Sequence, residues 1–379
     1  MHVLILPSWY FPPGTQVIAG RMFHQLASGL REEGVDAQIF FANLHAKGPL
    51  SRKASFQPEE GVPTWRVNQF YLPKRNATWL NMWIKRQVAE VMRYINSAGK
   101  PDLLHAQSYL MAAVCAELQN KTGIQFLYTE RLSTFLLGTI PKHHIALIQQ
   151  SMASASRITA VSPGMKEAMR TYTDRDIDIT PNYYSPDDFN PAANQPPLPP
   201  FTWVTVGEPA HVKGYDILLQ AFARLKESLP EYTMQLLLVD LIAEQSQLEK
   251  MADELGIRDN LIWKGFVVPG AMPDILRQCH AFVSSSRVET FGKSILEAQA
   301  CGLPVAATQS AGASFILQSA AQGELALTGN PTSLADAMRK VMVQYDTYVP
   351  AHISDTVRRR FEKSRVIRQW IDLYQTAMA

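Results

Sequence analysis

Short apolar runs alternate with longer amphipathic stretches along this chain, and this alternation limits the possible folds more than any other feature. Such runs are typical of strands that are buried on both faces of a parallel sheet. We expect strands at residues 2–6, 37–41, 103–105, 125–128, 157–161, 202–206, 234–239, 261–263, 281–284 and 304–307. Helical patterns separate them, among others at residues 21–30, 216–228, 246–255 and 294–300. This order predicts an α/β fold built from doubly wound sheets.

A proline-rich stretch divides the pattern into two halves. Residues 181–201 contain seven prolines, which cannot continue a helix or a central strand, and the strand pattern restarts at Thr202. The 379 residues also exceed what a single core usually fills. We therefore predict two doubly wound, Rossmann-like domains at 1–190 and 191–355, with a ligand-binding interdomain cleft at the carboxyl ends of their strands. Residues 356–379 are expected to form a helix that packs back across the first domain.

The composition is that of an ordinary globular protein. The chain is 46% hydrophobic and 18% charged, which argues against a disordered chain or a membrane bundle. Its three cysteines lie far apart, so neither a disulfide framework nor a zinc site is expected. Residues 1–100 hold 12 Lys or Arg against 6 Asp or Glu, a bias too mild to indicate nucleic acid binding. Because no signal peptide and no spanning segment is recognisable, we expect a cytoplasmic protein.

Residues 281–307 read AFVSSSRVETFGKSILEAQACGLPVAA and predict a strand, a tight loop and a helix. The amides of Gly292, Lys293 and Ser294 would lie at the helix start, where unpaired N–H groups and the helix dipole favour a bound anion. Glu289 in the loop and Glu297 one turn into the helix could hydrogen bond a ligand rich in hydroxyl groups. Considered without their context, two such glutamates are more often solvated surface groups.

The same segment, VETFGKSILEAQACGLPV, resembles the pattern E-G-F-G-x-x-x-x-E-A-x-A-x-G-x-P-V of the retaining glycosyltransferases of family 4, with Thr290 in place of the first glycine. The resemblance extends over nearly the whole chain and implies the two-domain GT-B fold. It implies that Glu289 contacts the donor sugar in a catalytic role and that Glu297 contacts the ribose. The amides from Phe291 to Ser294 would then contact the sugar and the phosphates.

A second segment, VTVGEPAHVKGYDILLQAF, resembles the glycine loop that follows the first strand of the family's second domain. The resemblance implies that Lys213 neutralises the donor diphosphate. The family commonly has an arginine directly after the glycine, whereas this chain has Glu208, so one of the two usual phosphate cations is missing here or comes from another position.

Three segments of the first half resemble the same family. PSWYFPPGTQVIAG places Gly20 where the backbone approaches the donor, and PDLLHAQSYLMAA keeps His105 as a candidate catalytic group but has Gln107 in place of a second histidine. FLYTERLSTF places Glu130 at the end of a strand, with Arg131 where a histidine is usual. Gln107 and Glu130 are therefore candidate cleft residues. Without the resemblance, a histidine that ends a buried strand is equally well explained as a core residue.

Residues 72–95 predict an amphipathic helix with two tryptophans. Its expected apolar residues are Leu80, Ile84, Val88, Val91 and Ile95, and its basic residues are Lys74, Arg75, Lys85, Arg86 and Arg93. Such a pattern suits a helix that lies on a membrane surface, which predicts peripheral contact with the inner face of the membrane. A helix that packs on its own sheet and exposes its basic side to water explains the pattern as well.

The resemblance implies a retaining glycosyltransferase that moves a sugar from a nucleoside diphosphate sugar to a glycan or lipid-linked acceptor, in surface polysaccharide synthesis. We expect no cofactor and no metal, because no D-x-D motif is placed near the candidate site. Two alternatives stay open. One is a GT-B enzyme of another class, such as a nucleotide-sugar epimerase or a phosphorylase, because a fold does not fix a function. The other is a non-catalytic subunit that binds sugar nucleotides.

Overall fold

The structure is a computed structural model that describes residues 1–15, 17, 19–45, 54–70, 74, 76–208, 210–240 and 245–379. The chain divides into two compact domains. The first contains Met1–Thr180 and Ser364–Ala379, and the second contains Pro181–Lys363. The division lies at the start of the proline-rich stretch, ten residues before the position at which we placed it.

Each domain is built around one sheet. The strands of the first domain are β1 (His2–Leu6), β2 (Asp36–His45), β3 (Ser55–Glu59), β4 (Val62–Phe70), β5 (Leu103–Ala106), β6 (Gln125–Glu130), β7 (Arg157–Ala160) and β8 (Asp178–Ile179). Those of the second are β9 (Phe201–Val206), β10 (Met234–Val239), β11 (Leu261–Lys264), β12 (Ala281–Ser284), β13 (Val305–Thr308) and β14 (Gly323–Ala326). All ten predicted strands are present.

Helices separate most of these strands. Before the proline-rich stretch they are α1 (Arg21–Glu32), α2 (Ala77–Ala98), α3 (Tyr109–Thr122), α4 (Thr134–Leu137), α5 (Lys142–Ser154) and α6 (Pro163–Arg170). After it they are α7 (Tyr215–Ser228), α8 (Gln245–Glu254), α9 (Met272–Arg277), α10 (Lys293–Ala300), α11 (Ala311–Ile316), α12 (Pro331–Val343), α13 (Pro350–Phe361) and α14 (Lys363–Met378). A short 3-10 turn, His211–Lys213, precedes α7.

The order of the strands is that of a doubly wound fold in both domains. The first sheet runs β3-β4-β2-β1-β5-β6-β7-β8 and the second runs β11-β10-β9-β12-β13-β14. The pairs in both sheets are parallel except for β3 with β4. In each sheet the chain first builds outward on one side of its first strand and then crosses to the other side. The switch points therefore lie between β1 and β5 and between β9 and β12, and the fold class is confirmed.

Local sequence explains where the strands and helices lie. Val3, Leu4, Ile5 and Leu6 of β1 are fully buried, as expected for a strand covered by helices on both faces. Ser162 caps α6, because its side chain accepts the N–H of Met165, and Pro163 is the first residue of that helix.

The end of the chain differs from the single helix expected at residues 356–379. It forms two helices, α13 and α14, and α14 contacts the core of the first domain. The Trp370 ring lies 4.8 Å from that of His105, and the Tyr374 hydroxyl lies 2.8 Å from His105 Nδ1. These two aromatic residues are fully buried, so α14 is part of the first domain's core.

Candidate functional site

The candidate site of the second domain lies at the carboxyl ends of β9 and β12, on either side of the switch point. The loop after β9 contains the turn with Lys213, and the loop after β12 contains Glu289. The two loops are joined by backbone hydrogen bonds, because the N–H of Arg287 donates to the carbonyl of Val212 at 2.8 Å. Ser285 Oγ also donates to the carbonyl of Lys213 at 2.9 Å. Residues more than 70 positions apart thus form one surface.

Lys213 and Glu289 are in direct contact. Lys213 Nζ donates to Glu289 Oε2 at 2.6 Å, and the side chains are 31% and 16% exposed. The other carboxylate oxygen of Glu289 accepts the N–H of Gly292 at 3.2 Å. Both groups are therefore held in place while a part of each faces solvent, which is the condition for binding a polar ligand. Since opposite charges stabilise each other at this distance, a ligand must compete with the pair or join it.

A bidentate ion pair braces the two loops. Arg287 donates from both terminal nitrogens to the two carboxylate oxygens of Asp216, at 2.8 and 2.7 Å, and to the carbonyl of His211 at 2.9 Å. The hydrogen bond from Arg287 lowers the pKa of the Asp216 carboxyl below its usual range. The brace connects the start of α7 and the 3-10 turn with the loop of Glu289, so it sets the position of Lys213 relative to Glu289.

The start of α10 follows directly. Gly292 precedes the helix with φ +86°, a conformation that favours glycine, and no side chain caps the helix start. Phe291 is 1% exposed and packs against Phe315 and Phe361, so its side chain anchors the loop in the core. The predicted anion-binding amides therefore begin directly after a fixed point of the chain.

Glu297 lies one turn further along α10. Its side chain is 16% exposed, and Lys293 Nζ lies 3.5 Å from its Oε1. Burial raises the pKa of the Glu297 carboxyl, and the neighbouring Lys293 acts in the opposite direction. Ser294 is half-buried on the same first turn. The structure thus brings Lys213, Glu289 and the start of α10 to one edge of the sheet, with Glu297 on the first turns of the helix.

Glu208 occupies an exposed position directly after β9 and Gly207. The hydroxyl of Tyr215 donates to the carbonyl of Gly207 at 2.6 Å, which ties this loop to α7. No cationic side chain replaces the expected arginine at this position of the sequence. The negative charge of Glu208 therefore faces solvent on the side of the site where the resemblance led us to expect a positive one.

In the first domain, Gly20 stands immediately before α1 at the carboxyl end of β1. Its φ is +88°, and a Cβ atom there would lie 2.6 Å from Tyr10 Cα and 3.0 Å from Phe11 N. Any larger residue would be strained and would also collide with backbone. The backbone at Gly20 therefore packs directly against the loop after β1. Its predicted approach to the donor stays a prediction.

His105 is a fully buried group with several partners. Its Nε2 lies 2.7 Å from Thr129 Oγ1 and its Nδ1 lies 2.8 Å from the Tyr374 hydroxyl. Burial, and secondly the charge of Arg131, lower the pKa of the imidazole well below its ordinary value. Gln107 is also fully buried, and its Oε1 accepts the Nε–H of Arg131 at 2.8 Å. Neither side chain presents a polar atom to solvent, so the catalytic role predicted for His105 gains no support from its position.

Glu130 is likewise saturated. One carboxylate oxygen accepts the N–H groups of Arg131 at 2.7 Å and Leu132 at 2.8 Å. The other accepts the N–H of Tyr109, at the start of α3, at 3.0 Å and the hydroxyl of Tyr128 at 2.6 Å. The side chain is fully buried, and burial raises its pKa although these donors act in the opposite direction. Four donors leave little capacity for a ligand, so Glu130 organises the end of β6.

The amphipathic helix α2 packs its apolar side on its own domain. Its buried residues are Leu80, Trp83, Ile84, Gln87, Val88, Val91 and Tyr94. At its first turns, however, Trp79 is 37% and Met82 is 48% exposed, and Lys85 is exposed beside them. Arg75 of the predicted basic set lies outside the described residues. None of the helices in the described part of the chain is long and apolar enough to cross a membrane.

Sequence reasoning missed the brace between Asp216 and Arg287. Both residues stand inside the quoted motifs, but their pairing depends on the two loops meeting at the switch point. The signal was present in the topology, because the loops after adjacent strands at a switch point are neighbours. Within the described residues, no three His, Cys, Asp or Glu side chains are grouped so that they could hold a metal ion.

Comparison with known proteins is consistent with this geometry. Residues 187–351 match the family described as glycosyl transferases group 1, and residues 19–182 match the glycosyl transferase 4-like domain. A D-inositol 3-phosphate glycosyltransferase of Paenarthrobacter aurescens is 23% identical over 83% of this chain and 81% of its own length.

Two solved structures share the fold over almost the whole chain. A sucrose-phosphate synthase of Thermosynechococcus elongatus has a TM-score of 0.81 at 19% identity, with 99% of this chain and 98% of that chain covered. HepE of Anabaena, solved in complex with UDP and glucose, has a TM-score of 0.73 at 17% identity, with 99% and 100% covered. At these identities the structures establish the fold.

Proposed function

The chain belongs to the glycosyltransferases of GT-B type, with a first domain of the glycosyl transferase 4-like family and a second domain of glycosyl transferases group 1, and on this premise we propose its reaction. The protein transfers a sugar from a nucleoside diphosphate sugar to a hydroxyl group of a glycan or lipid-linked acceptor, with retention of the anomeric configuration. Acceptors of this kind are used in surface polysaccharide synthesis, and we place the reaction in that process.

The observation that carries this proposal is the pair of Lys213 and Glu289 beside the uncapped start of α10. In the proposed complex, Lys213 and the amides of Gly292, Lys293 and Ser294 bind the diphosphate, and the Gly292 N–H exchanges its hydrogen bond to Glu289 for one to the ligand. Glu289 accepts hydroxyl groups of the donor sugar, and Glu297 accepts those of the ribose. In the first domain, the backbone at Gly20 is the part that approaches the donor.

The proposed chemistry needs positioning more than a strong base. The acceptor oxygen forms a bond to the anomeric carbon on the face that the diphosphate leaves, and the bond from that carbon to the phosphate oxygen breaks. The proton of the acceptor hydroxyl passes to the departing phosphate. The lysine and the helix amides stabilise the charge that develops on the diphosphate, which is why no dedicated metal is required.

A panel of donors tests the proposal most directly. We expect one of UDP, GDP, ADP and CMP, or the corresponding sugars, to raise the melting temperature, because a ligand at 100 times its dissociation constant stabilises the folded state by about 2.7 kcal/mol. UDP is the first choice, since the structurally similar HepE was solved with it. The matching nucleotide sugar should then release nucleoside diphosphate when an acceptor is added, and NMR of the product should show the anomer of the donor.

The same experiment separates the alternatives. An epimerase would convert the nucleotide sugar without an acceptor, and a phosphorylase would require inorganic phosphate. A non-catalytic subunit would bind the nucleotide but release no product with any acceptor tried. Transfer that EDTA abolishes and added Mg²⁺ or Mn²⁺ restores would contradict the metal-free reaction. If no nucleotide shifts the melting temperature, the proposed donor site is wrong.

We also propose that α2 contacts an anionic membrane surface at its first turns. The support is the exposure of Trp79 and Met82 next to Lys85, since exposed aromatic and basic side chains together favour the membrane interface. Sedimentation with phosphatidylglycerol vesicles tests this. The protein should sediment with the vesicles at low salt, and Trp79→Ser with Met82→Ser should remain in the supernatant. Wild-type protein that stays in the supernatant would eliminate the contact.

A further inference from the structure

Before any ligand binds, each lysine near the start of α10 already lies next to a glutamate. Lys213 contacts Glu289, and Lys293 lies close to Glu297. Glu208, which precedes Lys213 in the loop after β9, adds an exposed negative charge. Arg287 is engaged with Asp216. A nucleoside diphosphate sugar brings one negative charge on each of its two phosphates. Lys213 is already paired with a carboxylate, so it alone provides little positive charge for both phosphates.

Lys293 is the first residue of α10, and helix energetics do not explain a lysine there. A cation at a helix N-terminus opposes the helix dipole, which costs about 0.3–1 kcal/mol at an exposed position. The first turn of α10 contains no acidic residue to offset it. The order of lysine followed by glutamate at i and i+4 is also the weaker of the two possible orders. An anion bound at the helix start would reverse this unfavourable interaction.

The side chain of Lys293 follows the face of α10 on which Glu297 lies. Its Nζ is 3.5 Å from Glu297 Oε1, and the two side chains are 36% and 16% exposed. In a nucleotide the α-phosphate is attached to the ribose at its 5′ oxygen. A nucleotide whose ribose hydroxyls contact Glu297 therefore brings a phosphate to the neighbourhood of the Lys293 ammonium.

We propose that the Lys293 ammonium is the second phosphate-binding cation of the donor site. It supplies, from the helix start, the positive charge that is missing from the loop after β9, where Glu208 stands in place of an arginine. This inference rests on the proposed function and goes beyond it, because the sequence assigned to Lys293 only its backbone N–H. When the donor binds, Lys293 exchanges part of its contact with Glu297 for the α-phosphate. Glu297 is then left to accept the ribose hydroxyls.

Calorimetric titration of variants tests the assignment. The probes are UDP, GDP and ADP, each with its monophosphate and its nucleoside, measured with wild type, Lys293→Met and Lys293→Arg. We expect Lys293→Met to bind the preferred diphosphate about tenfold more weakly, which corresponds to about 1.4 kcal/mol, and to bind the nucleoside as wild type does. Lys293→Arg should recover most of the affinity, and the salt dependence of diphosphate binding should be smaller in Lys293→Met.

Matched variants keep the result interpretable. Lys250 forms the same i,i+4 contact with Glu254 on the exposed side of α8, so Lys250→Met controls for the loss of a surface lysine. Lys293→Gln is a second variant in case the methionine disturbs folding, and circular dichroism and the melting temperature report on the fold of each.

Two outcomes would overturn the inference while the donor site stands. One is wild-type affinity for the diphosphate in Lys293→Met. The other is an equal loss for diphosphate, monophosphate and nucleoside, which would mean that Lys293 acts only by holding Glu297. If wild type binds none of the nucleotides, the proposed function fails and this inference fails with it.

Discussion

The two domains have the same topology around their switch points, yet they use their polar residues in opposite ways. At the end of β12 in the second domain, Glu289 is 16% exposed and bonded to a lysine and a backbone N–H. At the end of β6 in the first domain, Glu130 is fully buried and bonded to four donors. The comparison shows that the end of a strand at a sheet's carboxyl edge does not by itself make a ligand site. A side chain must also keep unused hydrogen-bonding capacity.

The largest expected effect is that of Glu289→Gln on sugar transfer. The amide keeps the shape of the side chain but loses the charge that would strengthen its hydrogen bonds to the donor sugar. We expect kcat/KM to fall about 100-fold or more, as when a preorganised group at a transition state is removed. The free energy of unfolding should change little, because the side chain is partly exposed. Initial rates and urea unfolding measure the two quantities.

Glu254→Gln, on the exposed side of α8, is the control for this change and should behave as wild type. If Glu289→Gln retained its rate but lost stability, Glu289 would be a structural residue of the same kind as Glu130, and the contrast between the domains would disappear.

Glu130→Ala should produce the reverse pattern. Its removal leaves the N–H groups of Tyr109, Arg131 and Leu132 and the Tyr128 hydroxyl without their acceptor in a buried region. We expect a loss of about 3 kcal/mol in the free energy of unfolding, the usual range for buried groups left unsatisfied. The rate per folded molecule should stay within a few-fold of wild type. Glu117→Ala on the exposed side of α3 is the control. If Glu130→Ala kept full stability but lost its activity, Glu130 would take part in the reaction.

Arg287→Lys should have an intermediate effect on the second domain. A lysine keeps the charge but cannot donate to both oxygens of Asp216 and to the His211 carbonyl at once. Because the brace positions Lys213, we expect KM for the donor to rise about tenfold, or about 1.4 kcal/mol, with kcat changed less. Arg258→Lys replaces a surface arginine of a comparable ion-pair cluster and should leave KM unchanged. Equal decreases in kcat and stability, with KM unaltered, would contradict a positioning role.

The fold and the grouping of the candidate residues in the second domain were predictable because their signals are local. The apolar run of β1 was placed at its observed residues, and Lys213 and Glu289 belong to motifs that directly follow strands at the switch point. The β3–β4 hairpin was not predicted, because β4 carries buried polar residues that interrupt its apolar pattern. Arg66 pairs there with Glu59 at 2.7 Å, and Gln69 Oε1 accepts a hydrogen bond from Gln87 at 2.7 Å. Such pairs become visible only when the partners have been brought together.

The surroundings of His105 could not be predicted for a related reason. Its partner Tyr374 is 269 positions away, and the contact exists only because α14 packs into the first domain. From the sequence, a histidine at a strand end fits a ligand site and a core equally well. Tertiary packing decides between them, since Tyr374, Trp370 and Thr129 together enclose the ring.

The smallest expected effect tests that enclosure through pH. Burial lowers the pKa of folded His105, whereas in the unfolded chain it is about 6.5. As the pH falls below that value, the unfolded state takes up a proton that the folded state does not, so stability decreases on acidification. The buried Glu130 acts in the opposite direction, because its raised pKa favours proton uptake by the folded state, but it is common to wild type and variant. Between pH 7 and pH 5.5, wild type should lose about 1 kcal/mol more than His105→Gln.

Urea titrations of both proteins at the two pH values measure this difference. His352→Gln, at an exposed position of α13, controls for the replacement of a histidine. If His105→Gln lost as much as wild type, folded His105 would take up its proton at an ordinary pH, which requires access of water to the ring. The end of β5 would then resemble the half-exposed edge of the second domain, and a ligand-binding role for His105 would again be consistent with its surroundings. If the expected difference is found, His105 acts through the packing of α14, and the ligand-binding polar groups of the first domain must be sought outside the set formed by His105, Gln107 and Glu130.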